Sequence, residues 1–170
     1  MKHLRSIISL LMVTLLVSIS FTGCGEEKPT VIPYSDLTLD QSYEDMIKVE
    51  GESSNITDSI YGGKTFYYPK TYLGMDGNVC YNFDADNKLC SIGWTLESTS
   101  KDDVVNIYNN IKNELESSYG ESGYNTGISS NSSDVWHRDE GDIVLFSITT
   151  DTLNALSYSY LHPHVSSKHN

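Results

Sequence analysis

Arginine is all but missing from this chain. Arg5 and Arg138 are the only two, and 11 basic residues stand against 23 acidic ones. All of the acidic residues follow Cys24, together with nine basic ones, so residues 24–170 carry a formal charge of −14. Such a surface is repelled by phosphate backbones and by anionic headgroups. Nucleic acid is excluded as a partner, and so is a basic patch as a means of membrane attachment.

Catalytic signatures are missing too. No G-x-S-x-G occurs, and His137 in "DVWHRDEG" is the sole histidine within the expected helices and strands. A Ser-His-Asp arrangement would have to be built on that one ring at the edge of a hairpin. A solvated strand residue is the simpler reading. "FDADNKL" begins like a calcium loop with Asp84 and Asp86, but Lys88 and Leu89 stand where a ligand and a glycine are needed. It reads as a turn. "LHPHVSSKHN" contains His162, His164 and His169, and an H-x-H pair on a strand turns both rings to one face, a geometry suited to Zn or Cu. No carboxylate or cysteine joins that set along the sequence, so a loose tail is expected. Glu114 and Glu116, like Asp102 and Asp103, read as solvated helix residues. The sequence thus predicts no catalytic residues, no metal site and no cofactor.

What is present begins at the N-terminus. Lys2 and Arg5 precede Ile7 to Phe21 (IISLLMVTLLVSISF), which carries no charge. As a helix this run would be about 22 Å long, short of the ~30 Å hydrocarbon core. A cationic start, a short apolar stretch and small residues after it form the pattern of a secretory signal peptide. Ser20, Phe21, Thr22 and Gly23 then lead into Cys24. This stretch resembles the lipobox of bacterial lipoproteins, in which the cysteine thiol receives a diacylglyceryl group and the chain is cut on its N-terminal side. Phe21 departs from the commoner Leu at its position. The resemblance covers residues 1–24 and implies removal of 1–23 and acylation of Cys24. It implies a lipid-anchored protein on the extracytoplasmic face of the cell membrane, held by acyl chains at ~0.8 kcal/mol per buried methylene. Residues 24–33, polar and carrying Pro29 and Pro33, read as a lipidated tether of at most ~30 Å.

Residues 34–162 read as one α+β domain, with a flexible tail over 163–170. Asp40 is the expected N-cap of a first helix that carries Tyr43, Met46 and Ile47 and ends at Gly51. "KTFYYPKTY" reads as a strand that Pro69 pushes to a sheet edge. In "NVCYNFDADNKLCSIGWTLE", the alternations Val79-Tyr81-Phe83 and Ile92-Trp94-Leu96 predict a hairpin turning over Asp84 to Asn87. A second helix shows the clearest stripe (Val104, Ile107, Tyr108, Ile111, Leu115), with Asp102 and Asp103 in its first turn and Gly120 closing it. "ESGYNTGISSNSS" reads as loop, and "DVWHR", "DIVLFSITT" and "NALSYSYL" as three strands. A shift of 64 residues lays Val79 on Ile143, Tyr81 on Leu145, Ile92 on Leu156 and Trp94 on Tyr158. The expectation is an antiparallel sheet from two duplicated αβββ units, with the helices packed on the sheet. Such units are similar to the β-lactamase-inhibitor and outer-membrane assembly lipoprotein folds, a likeness of fold alone.

Adjacent Tyr67 and Tyr68 point to opposite faces of their strand, so one of them faces solvent, where it can stack on a sugar or anchor a protein. Cys80 and Cys90 flank the hairpin turn. A three-residue loop (Asp84 to Asp86) sets them opposite each other, as a disulfide suited to an oxidising compartment. A four-residue loop sets Cys80 against Ser91 and keeps the thiols apart. The disulfide is the expectation. Function is expected to be binding or interaction at the cell envelope, with a protein or a cell-envelope glycan as partner. The alternatives are an envelope hydrolase built on His137 and a structural part of an envelope assembly complex.

Overall fold

The computed structural model describes residues 30–128 and 130–166, except for the side chains of 124–128. The apolar run, Cys24 and residues 24–29 of the tether lie outside the described residues. Among the described residues no helix is long and apolar enough to cross a membrane.

Helix α1 (Tyr43–Glu50) starts at Ser42, not at Asp40. Ser42 Oγ accepts from the Asp45 N–H and Asp45 Oδ2 accepts from the Ser42 N–H, both at 3.2 Å. Each residue thus satisfies a donor the other's helix end would orphan. Helix α2 (Lys101–Tyr119) is capped by Ser100, which accepts from Asp103 N at 3.2 Å. Gly51 (φ +80°) and Gly120 (φ +83°) end the two helices at backbone angles that side-chain-bearing residues rarely adopt. The expected stripe of α2 from Val104 to Leu115 is buried against the sheet.

The described residues form eight strands, four after each helix: β1 (Asn55–Asp58), β2 (Gly62–Tyr72), β3 (Met75–Asp84), β4 (Leu89–Ser98), β5 (Tyr124–Ile128), β6 (Asn131–Arg138), β7 (Gly141–Thr149) and β8 (Asn154–Leu161). They form one antiparallel sheet in the order β1-β2-β3-β4-β8-β7-β6-β5, so the domain is α+β. Each helix precedes four strands rather than the three expected. The extra ones, β1 and β5, are the sheet's outer edges; β1 is exposed along its whole length and carries no alternating apolar signal. Pro69 still sits where a proline can. Strand β1 pairs with β2 only from Lys64 to Tyr67, so β2 is itself an edge at Pro69.

Alternate residues of the central strands make the core: Val79, Tyr81 and Phe83; Ile92, Trp94 and Leu96; Ile143 and Leu145; Leu156, Tyr158 and Tyr160. Each large side chain so buried contributes ~1.5–3 kcal/mol. Trp94 and Tyr158 face each other across the central β4–β8 pair. The indole Nε1 donates to Lys70 O at 2.9 Å and lies over Gly77, where an added Cβ would come within 2.8 Å of the ring. A carboxylate is buried in this layer as well. Asp134, 1 % exposed, accepts from Lys112 Nζ (2.8 Å), Ser122 Oγ (2.6 Å) and the Tyr108 hydroxyl. Burial pushes its pKa up, but the hydrogen bonds led by Lys112 outweigh that and hold it below the usual carboxylate range.

Packing extends past both expected domain limits. Ile32, assigned above to the tether, is buried in the core, and Ser166, assigned to the tail, is fully buried. The His162 N–H donates to Cys90 O at 2.8 Å, which fastens the segment after β8 to the sheet.

The expected disulfide is not formed, and neither proposed register occurs. Asp84 Oδ1 accepts from the N–H groups of Asp86 and Lys88, and Asp84 N donates to Lys88 O, which lengthens the turn. Phe83 then pairs with Leu89, Asn82 with Ser91 and Cys80 with Gly93, leaving Cys90 as the extra residue of a bulge. Three residues of strand separate Cys90 from the residue opposite Cys80. That is ~10 Å at ~3.3 Å per residue, beyond the ~7 Å that a disulfide tolerates between Cα atoms. Both cysteines are free and buried.

Candidate binding face

Both helices lie on the face of the sheet that carries the core residues. The opposite face is built from the other alternation, and its rungs can be read across the strands. One runs Pro69, Asn78, Thr95, Ser157, Phe146 and Ser133; the next runs Tyr67, Cys80, Gly93, Ser159, Val144 and Val135. The side chains here are small, polar or aromatic. Gly93 leaves room on the second rung for Ser159, whose Oγ a Cβ there would approach to 2.5 Å and push aside.

A groove of about 510 Å³ crosses this face from β1 to β7. Tyr67 and Phe146 supply its rings, Phe146 being 36 % exposed. Asn55, Asp76, Asn78, Thr95, Glu97 and Ser157 supply amide, carboxylate and hydroxyl groups. The Tyr67 hydroxyl accepts from Thr57 Oγ1 at 3.4 Å, which ties its ring to β1. Tyr68 faces the other way. It is buried, and its hydroxyl donates to Gly51 O at 2.7 Å. Of the adjacent tyrosines, Tyr67 lines the groove and Tyr68 belongs to the core.

His137 is exposed and its Nδ1 lies 2.9 Å from Oδ1 of the buried Asp142. This is two-thirds of a triad. A nucleophile would have to stand on the other ring nitrogen, and the hydrogen bond that the described residues give His137 is the one to Asp142. Cys80 Sγ contacts Thr95 Oγ1 at 3.5 Å, and burial pushes its pKa up. The Cys90 thiol is pushed up to about 11, by burial first and then by the carboxylate of Asp84. Neither cysteine is an activated nucleophile.

The sequence reading missed one meeting of residues. The tail histidines come to the β3–β4 turn, where His164 Nε2 lies 3.4 Å from Cys90 Sγ and 3.6 Å from Asp84 Oδ2. The signals were present as "FDADNKLC" and "LHPH", but no local pattern joins segments so far apart.

No family model, curated protein or solved structure matches this chain. Its function must be read from its own geometry.

Proposed function

We propose that this protein is a lipid-anchored, extracytoplasmic binding protein that takes a cell-envelope glycan into the groove on its open sheet face. The observation that carries the reading is the pairing of two rings, the half-buried Tyr67 and the exposed Phe146, with a floor of Asn, Thr and Ser side chains. An aromatic ring covers the apolar face of a sugar, while amides and hydroxyls bond to its hydroxyl groups. Asp76 and Glu97 at the rim, within a strongly acidic chain, favour a neutral or amine-bearing glycan over an acidic one. A protein ligand is the second occupant of the same class, favoured by the free edge of β1 alone.

The anchor in this proposal is Cys24, and its support is the lipobox resemblance over residues 1–24. The domain's first packed residue is Ile32, so few residues would separate the acyl chains from the fold. We further infer that the domain arose by duplication of a helix-plus-strands unit. Both halves run helix, then four antiparallel strands, and meet at β4–β8. In each half an aromatic of the second strand bonds to the glycine that ends the helix: Tyr68 to Gly51 O (2.7 Å) and Trp136 to Gly120 O (2.9 Å).

Retention of the detergent-solubilised protein on insoluble cell-envelope glycan tests the binding reading. Tyr67→Ala should weaken retention roughly tenfold, the equivalent of ~1.4 kcal/mol, with the fold intact by circular dichroism. Equal retention of wild type and Tyr67→Ala contradicts it.

A further inference from the structure

The β3–β4 turn and the segment after β8 meet at one corner of the sheet. Asp84 Oδ1 is occupied by two backbone N–H groups, each at 2.9 Å. Its Oδ2 is turned instead toward His164 Nε2. Cys90, held in the bulge of β4, brings its Sγ to the same nitrogen. Ligand atoms from Asp84, Cys90 and His164 all lie within 4.8 Å of one another.

Hydrogen-bond accounting assigns the tautomers. His162 Nδ1 accepts from the backbone N–H of His164 at 3.2 Å, so it carries no proton. It also lies 2.5 Å from His164 Nδ1, which is therefore the donor. A neutral His164 protonated at Nδ1 presents a bare lone pair at Nε2. In that form the lone pair is turned toward Asp84 Oδ2 at 3.6 Å and Cys90 Sγ at 3.4 Å. His162 Nε2 carries its own proton, toward Asp40 Oδ1 at 3.8 Å. A carboxylate and a second imidazole behind the ligating ring are the outer-shell partners that orient metal-bound histidines.

We propose that Asp84 Oδ2, Cys90 Sγ and His164 Nε2 form a zinc-binding site with a fourth position open to water or an outside ligand. Ligands at ~2.0–2.3 Å from a tetrahedral zinc stand ~3.3–3.6 Å apart, and the separations from His164 Nε2 are 3.4 Å to sulfur and 3.6 Å to oxygen. One sulfur, one imidazole and one carboxylate suit zinc better than the all-oxygen sites of calcium or magnesium. As the metal binds, the Cys90 proton passes to solvent, and thiolate plus carboxylate balance the dication. A cleft of about 300 Å³, walled by Leu39, Gln41, Lys88 and His164 among others, leaves room beside the site for an outside ligand. The site is independent of the groove on the open face.

Titration of the full chain in detergent micelles with Co²⁺, then Zn²⁺, tests the proposal. Wild type should take up one cobalt ion with a thiolate-to-cobalt charge-transfer band that zinc abolishes. Cys90→Ser should lose the band, and Cys80→Ser should keep it. Asp84→Asn and His164→Ala should weaken zinc binding by about 100-fold, and His162→Ala by about 10- to 100-fold through the lost orientation of His164. Should Cys90→Ser fail to fold, X-ray absorption of zinc-loaded wild type decides, with one sulfur at ~2.3 Å and nitrogen or oxygen at ~2.0 Å expected. A band that survives in Cys90→Ser, a zinc shell without sulfur, or wild-type affinity equal to that of His164→Ala overturns the proposal.

Discussion

Asp134→Asn tests the energetics of the helix–sheet layer. The carboxylate is 1 % exposed and accepts three side-chain hydrogen bonds, from Lys112, Ser122 and Tyr108. Asparagine keeps the shape but turns one acceptor position into a donor and removes the charge that Lys112 faces. Breaking a fully buried ion pair costs ~3–5 kcal/mol. Here Lys112 keeps 21 % exposure and can lean toward Glu116, 3.6 Å away, so the expected loss is ~2–3 kcal/mol at pH 7. For a domain of this size that lowers the thermal midpoint by roughly 6–12 °C. The pH dependence has a definite sign. The folded-state pKa of Asp134 is depressed, so its contribution is present above the unfolded value of ~3.9 and is lost as pH falls through the folded value. Urea denaturation should therefore show the gap between wild type and variant closing below about pH 4. A gap under ~0.5 kcal/mol at pH 7, the range of ordinary surface substitutions, or one that persists undiminished under acid conditions, refutes the reasoning.

Other substitutions probe separate links. Cys24→Ser should take up no radiolabelled palmitate and accumulate as uncut precursor; labelling equal to wild type contradicts the anchor. Gly77→Ala should destabilise by ~1–3 kcal/mol through overpacking, because its Cβ would stand 2.4 Å from Thr95 O and 2.8 Å from the Trp94 indole. Tryptophan fluorescence during denaturation reports the loss, and an unchanged midpoint argues against the packing described. Alkylation of the unreduced chain after unfolding should label both Cys80 and Cys90, while the native chain reacts slowly. A mass consistent with a bridge would restore the disulfide.

The parts of this fold that could be read from the sequence are those with a buried face. The α2 stripe and the alternations of β3, β4, β7 and β8 stood out because apolar residues recur at helix or strand period. Strands β1 and β5 did not, since an edge strand such as "NITD" is held by ladder hydrogen bonds and needs no apolar face. The start of α1 was within reach, because Ser42 and Asp45 stand at capping-box spacing, yet Asp40 competed as a cap. The β3–β4 register was lost to a side chain. Asp84 lengthens the turn by bonding Asp86 and Lys88, which alternation alone does not reveal. Of the site, strand alternation put one of Tyr67 and Tyr68 on the open face without choosing between them, whereas the groove and the approach of His164 to Cys90 depend on strand order and on contact across 74 residues.

Backbone amide mapping by NMR, with glycan fragments from the cell envelope added to the protein, tests the central claim most directly. If the open face is the binding face, shifts should concentrate on Tyr67, Asn78, Thr95, Phe146 and Ser157, which share the groove across β2, β3, β4, β7 and β8. The exposed side of α2 should stay silent. No shifts with any fragment, or shifts confined to α2 and the helix side of the sheet, would contradict the account.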